Sequence, residues 1–177
     1  MTIEEQSRLV LVVDVDGTVA DSRDRAEEVE RKFGPDPDHW KDPELHEFLK
    51  AQDIARDKVI PGAELLPEVA RSMNADIVFL TGRSERSRKD TRRWLQDNML
   101  AHPYMPLFMR PDDDYRPGGE CKGDVFRKQV LPLYEGRRFV FLDDDPSCLR
   151  VYKQHGLVLR SPGCWTALFP ACVISDS

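Results

Sequence analysis

The chain has 177 residues, 40% of them hydrophobic and 33% charged, with a formal net charge of −6. That length suffices for one domain with its own core, and the acidic balance excludes a broad basic coat for nucleic acid while leaving room for a local basic groove. No apolar run approaches the roughly twenty residues needed to cross a bilayer, and the N-terminal MTIEEQSR lacks an apolar signal region, so an intracellular, cytoplasmic protein with no membrane partner is expected.

Residues 8–14 (RLVLVVD) form a continuous run of leucine and β-branched side chains, which predicts a strand covered on both faces and hence a parallel sheet. Residues 21–60 break that pattern. They are highly charged, include Pro35, Pro37 and Pro43, and predict a small inserted helical flap with helices near 26–33 and 44–55. Further buried strands are predicted at 75–80 (ADIVFL), 104–109 (YMPLFM) and 138–142 (RFVFL), with a short fifth at 157–159. Helical periodicity lies between them: 84–99 with Trp94, Leu95 and Met99 on one face, 122–134 with Val125, Phe126, Val130 and Leu133, and 146–154 with Leu149 and Tyr152. Alternating strands and helices predict a single α/β domain over 1–177, its mainly parallel sheet flanked by helices. The four cysteines, Cys121, Cys148, Cys164 and Cys172, have no C-x-x-C spacing, so ordinary reduced thiols are expected.

Open parallel sheets bind ligands outside the carboxyl ends of their strands. After the first strand comes Asp14-Val15-Asp16-Gly17-Thr18, two carboxylates one residue apart where an extended strand breaks at glycine. The arrangement suits covalent phosphoryl transfer, with Asp14 as nucleophile and Asp16 as the group that gives and later takes a proton. A plain turn uses the same residue types, but does not need a buried strand in front of it. After the second strand, Thr81-Gly82-Arg83 offers a hydroxyl, a glycine and a guanidinium just before a helix start, a phosphate cradle; a turn capped by Ser84 is the other reading.

After the third strand lie Arg110, Arg116 and Lys122, the last expected to open the next helix and to neutralise charge on a transferring phosphoryl group, although such a lysine is often merely solvated. After the fourth strand come Asp143, Asp144 and Asp145. Adjacent acids repel unless a cation sits among them, and Mg²⁺ takes carboxylate oxygens together with water and phosphate. Asp14, Asp143 and the carbonyl of Asp16 are the expected ligands, with Asp144 a further ligand or an orienter of Lys122. Asp145 reads as the cap of the helix beginning at Pro146.

DVDGT, TGR, a downstream lysine and DD resemble the four signature motifs of the haloacid dehalogenase (HAD) superfamily of phosphatases. TGRSERSRKDTRRWL, PLFMRPDDDYRPGGECKGDVF and FLDDDPSCLRVY more narrowly resemble the 3′-phosphatase domain of phage-type polynucleotide kinase-phosphatases, over about residues 8–169. The resemblance implies a Rossmann-like HAD fold, a Mg²⁺ cofactor and an aspartyl-phosphate intermediate. It implies Asp14 as nucleophile, Asp16 as acid and base, Thr81 as phosphate ligand and Arg83 as its support; Thr18 and Gly82 are further candidate substrate-binding residues. Lys122 becomes the neutralising lysine, Asp143 and Asp144 metal-site acids, and Arg110 or Arg116 a substrate contact. Two departures stand out. No G-x-x-x-x-G-K-[ST] loop is present for a 5′-kinase, and Asp145 replaces an arginine common in those relatives, which weakens the expectation of polynucleotide affinity.

The expected substrates are 3′-phosphorylated nucleic-acid ends or nucleotides, with 5′-nucleotides or small metabolites as the alternative. The basic run of Arg83, Arg86, Arg88, Lys89, Arg92 and Arg93 reads as a backbone track or as a solvated helix face. Phe33, Trp40 and Tyr115 are candidate base-stacking rings. A receiver-like signalling domain shares the acids, threonine and lysine in a different order, and a non-catalytic binding domain requires decayed motifs that this chain does not show.

Overall fold

The computed structural model describes residues 9–35 and 42–168, so Trp40 and Cys172 lie outside the described residues. In chain order the main elements are β1 (Leu9–Val13), β2 (Ala20–Asp21), α1 (Arg23–Phe33), α2 (Pro43–Ala51), β3 (Lys58–Val59), α3 (Leu66–Ser72) and β4 (Ala75–Ser84). They continue with α4 (Arg88–Asp97), β5 (Leu107–Arg110), α5 (Gly118–Val125), β6 (Arg138–Asp143), α6 (Pro146–Tyr152), β7 (Gly156–Arg160) and α7 (Gly163–Leu168).

The central sheet runs β5-β4-β1-β6-β7, every neighbouring pair parallel. β1 lies in the middle because its residues are apolar on both faces. Leu11 and Val13 point into one core with Phe79, Trp94, Leu95 and Trp165. Val10 and Val12 point into the other with Phe126, Phe141 and Tyr152, as the two-residue period of a strand requires. β2 and β3 pair antiparallel and form the root of the flap, whose helices α1 and α2 lie between them in the chain.

Several boundaries differ from the sequence expectation for local reasons. β4 does not stop before Thr81 but runs through Ser84 with an irregular register, and α4 begins only at Arg88 after one 3₁₀ turn. Met99 falls beyond that helix at φ 57° and is 82% exposed, so it does not share the Trp94 face. β5 starts after Pro106, which has no N–H to give a ladder, and Tyr104 before it is exposed.

α5 starts at Gly118, so Lys122 sits inside the helix rather than opening it. The glycines that suggest a loop are there for packing: a Cβ on Gly119 would meet Ser147 Oγ at 2.8 Å, and one on Gly123 would meet Val151 Cγ1 at 2.8 Å. They let α5 lie close against α6. Phe126–Val130 then widens into a π-turn and Leu131–Tyr134 tightens to 3₁₀, leaving Leu133 exposed. α3, with Leu66, Val69 and Ala70 buried, is only seven residues long, with Pro67 in its first turn, too short to show a clear period.

Candidate active site

Lys122 is the centre of the strand-end cluster. Its Nζ lies 2.9 Å from Asp14 Oδ1 and 2.9 Å from Asp143 Oδ2, and all three side chains are buried. The parallel pairing of β1 with β6 sets the two acids side by side, and the close approach of α5 to α6 brings the lysine to them. Asp144 joins from the next position: Asp14, Asp143 and Asp144 each present an oxygen within 4.8 Å of the others.

The electrostatics of this pocket are those of acids in excess over cations. Burial raises the Asp14 carboxyl well above the usual range, against the pull of Lys122, with Asp143, Asp144 and Asp16 adding repulsion. Burial and the charge of Asp143 lift Asp144 to about 6. Burial would lower the ammonium of Lys122, but Asp14 and Asp143 outweigh it and hold it protonated. Three hard oxygen donors with one ammonium among them fit a small divalent cation such as Mg²⁺.

Asp16 points into a second cluster. Arg83 donates to it twice, from Nε and Nη2 at 2.8 Å each, and Arg25 donates from Nη2. Both guanidiniums are shared with Asp57, which accepts from Arg25 at 2.7 Å twice and from Arg83 at 2.7 Å. Burial opposes ionisation of Asp16, yet the Arg83 and Arg25 charges outweigh it and hold its carboxyl well below the ordinary carboxylate range. Asp57 is itself held from behind, since its carbonyl accepts from Trp94 Nε1 at 3.0 Å.

Arg25 and Asp57 escape sequence reasoning because both lie in the charged flap, where a helix with no buried residue and a short polar turn read as solvent-facing. The strand pair β2–β3, too short for a periodic signal, helps to bring them back beside Asp16.

Thr81 is 1% exposed and its hydroxyl accepts from the Arg83 N–H at 3.2 Å. The Gly82 carbonyl accepts from Arg110 Nε at 2.9 Å, and Arg110 Nη1 donates to the carbonyls of Asp114 and Arg116. Arg110 thus straps the loop after β5 to the end of β4. Arg116 is pinned by Asp114 and Asp124 on the surface. Thr18 is fully buried, its hydroxyl without a hydrogen-bond partner among the described residues. Asp145 caps α6 by accepting from the Ser147 N–H at 2.7 Å.

The basic run does not form one track. Arg83 is taken by Asp16 and Asp57, Arg88 by Glu85 and the Leu107 carbonyl, and Arg92 by the carbonyls of Pro103 and Met105. Arg86 reaches Glu47 of α2 and Asp112, while Lys89 and Arg93 are exposed. Of the candidate rings, Tyr115 meets His46 of α2 edge-on at 4.7 Å and so ties the flap to the loop after β5, while Phe33 meets Phe48 at 5.5 Å within the flap.

A five-stranded parallel sheet with an aspartate pair after its central strand, a threonine-glycine-arginine end on the next and a lysine bridging to paired acids on the third defines a HAD-type phosphatase. Residues 8–160 match the polynucleotide kinase PNKP phosphatase domain, and the chain belongs to that family. A putative bifunctional polynucleotide kinase/RNA ligase of Autographa californica nuclear polyhedrosis virus is 32% identical over 106 residues, 58% of this chain and 14% of that protein. The solved Pnkp1/Rnl/Hen1 complex contains a chain with the same fold at TM-score 0.62 and 18% identity, over 87% of this chain and 46% of that one. A class C acid phosphatase from Bacillus anthracis superposes at TM-score 0.53 with 15% identity, over 96% of this chain and 75% of that one. The chain therefore spans less than half the length of the polynucleotide kinase relatives it matches.

Proposed function

We propose that the chain is a Mg²⁺-dependent phosphomonoesterase that works through a phosphoryl group carried on Asp14 and acts on 3′-phosphorylated nucleic-acid ends or nucleotides. The observation that carries the chemistry is the Lys122 ammonium at 2.9 Å from both Asp14 and Asp143. Asp14, Asp143 and Asp144 would hold the cation with the Asp16 carbonyl, and when bound it would neutralise the acids and the phosphoryl oxygens. Lys122 supplies a fixed positive charge beside the attacking oxygen.

In the first half-reaction an Asp14 oxygen attacks phosphorus, the bond from phosphorus to the ester oxygen breaks, and Asp16 gives that oxygen its proton. In the second, water attacks the same phosphorus, the bond to Asp14 breaks, Asp16 takes the proton from water, and inorganic phosphate leaves. With both arginines engaged, Asp16 is poised as the base of the second half. The donor half requires that substrate draw a guanidinium away from it.

The family membership and the polynucleotide kinase relatives support a nucleic-acid or nucleotide substrate; the basic run, largely engaged within the protein, adds little. A phosphate-release panel of 3′-phosphorylated oligonucleotides, 3′-nucleotides, 5′-nucleotides and sugar phosphates tests the substrate. Preference for sugar phosphates by a wide margin would remove the 3′-end reading. Asp14→Asn should abolish release from every compound, and normal turnover in that variant would remove the covalent route.

A further inference from the structure

Ser161 and Trp165 follow the last strand, beyond the stretch of residues 8–160 that matches the family. The Ser161 N–H donates to the Asp143 carbonyl at 3.0 Å. The Ser161 hydroxyl donates to the Thr18 carbonyl at 3.3 Å, and Trp165 Nε1 donates to that same carbonyl at 2.8 Å. Thr18, Ser161 and Trp165 are 0%, 4% and 2% exposed. One serine therefore touches both halves of the site: the strand end that bears Asp143 and the loop that bears Asp14 and Asp16.

The loop's own hydrogen bonds leave this carbonyl over. Gly17 N–H donates to the Ala20 carbonyl at 2.8 Å, while the Val19 and Ala20 N–H groups both donate to Val15. The Thr18 carbonyl faces away from that turn, and a desolvated carbonyl holds its place only where donors meet it. The indole also lies under the flap's return. A Cβ on Gly62 would stand 2.9 Å from Trp165 Cβ, and Ile60 N–H donates to the Val19 carbonyl at 2.9 Å.

The geometry points to Ser161 and Trp165 as positioning residues that clamp the Asp14–Thr18 loop against the Asp143 end of β6, a role that rests on the proposed nucleophile and metal acids. They touch no reacting atom. They set the separation of two carboxylates contributed by different strands, and phosphoryl transfer depends steeply on such placement.

The test compares Trp165→Phe, which keeps a buried ring and removes the donor, and Ser161→Ala, which removes only the hydroxyl, with the wild-type chain. Amide hydrogen exchange is read in residues 15–20 and, as a reference, in α4; kcat and KM are read on p-nitrophenyl phosphate with Mg²⁺. Loss of one buried hydrogen bond corresponds to about ten-fold faster exchange in 15–20 with α4 unchanged, and about a ten-fold fall in kcat with KM within about two-fold. Unchanged exchange in 15–20, or equal acceleration in α4, would overturn the clamp and leave a merely structural tryptophan. Where Trp165→Phe does not fold, Ser161→Ala decides on the same readouts. A wild-type chain that releases phosphate from nothing in the panel defeats the phosphatase reading instead, and exchange alone then judges the clamp.

Discussion

The carboxylate of Asp144 occupies the space that a side chain at position 17 would take: a Cβ on Gly17 would stand 2.2 Å from Asp144 Oδ2. Gly17 also sits at φ +72°, in the left-handed region. Gly17→Ala therefore meets two penalties, a left-handed backbone at about 1–2 kcal/mol and displacement of an acid from the proposed cation site. Turnover of p-nitrophenyl phosphate should fall by about a hundred-fold or more while circular dichroism stays close to wild type. Full activity would show that Asp144 is not needed where it stands.

Removing the ammonium at Lys122 leaves Asp14 and Asp143 buried together without compensation. Lys122→Met should destabilise the metal-free fold by about 3–5 kcal/mol, as expected for breaking a buried charge cluster by taking one partner. Activity should fall by about a hundred- to a thousand-fold. Urea unfolding with and without Mg²⁺ checks the first part, because a cation near the same acids should recover more stability in the variant than in the wild type. Equal recovery in both would separate the lysine from the cation site.

The readings that came directly from sequence were those tied to a buried strand. The runs before Asp14, Thr81 and Asp143 are apolar enough to mark central strands, so the polar residues that end them had to lie at one edge of the sheet. Lys122 is legible by its position after the third strand, but the start of its helix is not, because Gly118 and Gly119 look like a loop until α6 is seen against them. Arg25 and Asp57 were not legible. Their importance comes from a two-residue strand pair that folds a polar flap back onto Asp16, and pairing that short leaves no pattern in composition or periodicity. The basic run was misleading for the complementary reason, since a carbonyl that accepts from an arginine leaves no trace in the sequence.

The three acids around Lys122 make metal binding a stability measurement as well as an activity one. Activity should vanish in chelator and return with Mg²⁺. The unfolding free energy should rise with Mg²⁺ by about 2.7 kcal/mol at a hundred times the dissociation constant. Asp144→Asn should shrink that increment and raise the Mg²⁺ concentration for half activity by about ten-fold or more. Full activity in chelator, or an increment untouched by Asp144→Asn, would take the cation out of this pocket.

Arg25 and Arg83 both bridge Asp16 and Asp57, so the four side chains act as one unit and single substitutions in it should not add. Asp57→Asn and Arg25→Ala should each lower kcat/KM by about ten-fold or more, and the double variant should be little worse than either. The coupling expected between such contacting charges is about 0.5–3 kcal/mol, read from kcat/KM of the four proteins on a 3′-phosphorylated oligonucleotide. The sign of a pH effect follows from the same contacts. The arginines lower the pKa of Asp16, so removing Arg25 lets it rise, and because Asp16 must carry its proton in the first half-reaction the alkaline limb of the kcat/KM profile should move to higher pH. Asp57 touches Asp16 only through the arginines, so Asp57→Asn, which leaves both arginines beside Asp16, should not move that limb upward. Additive losses, with no shift of the limb in Arg25→Ala, would reduce the cluster to independent buried ion pairs and leave Asp16 to work alone.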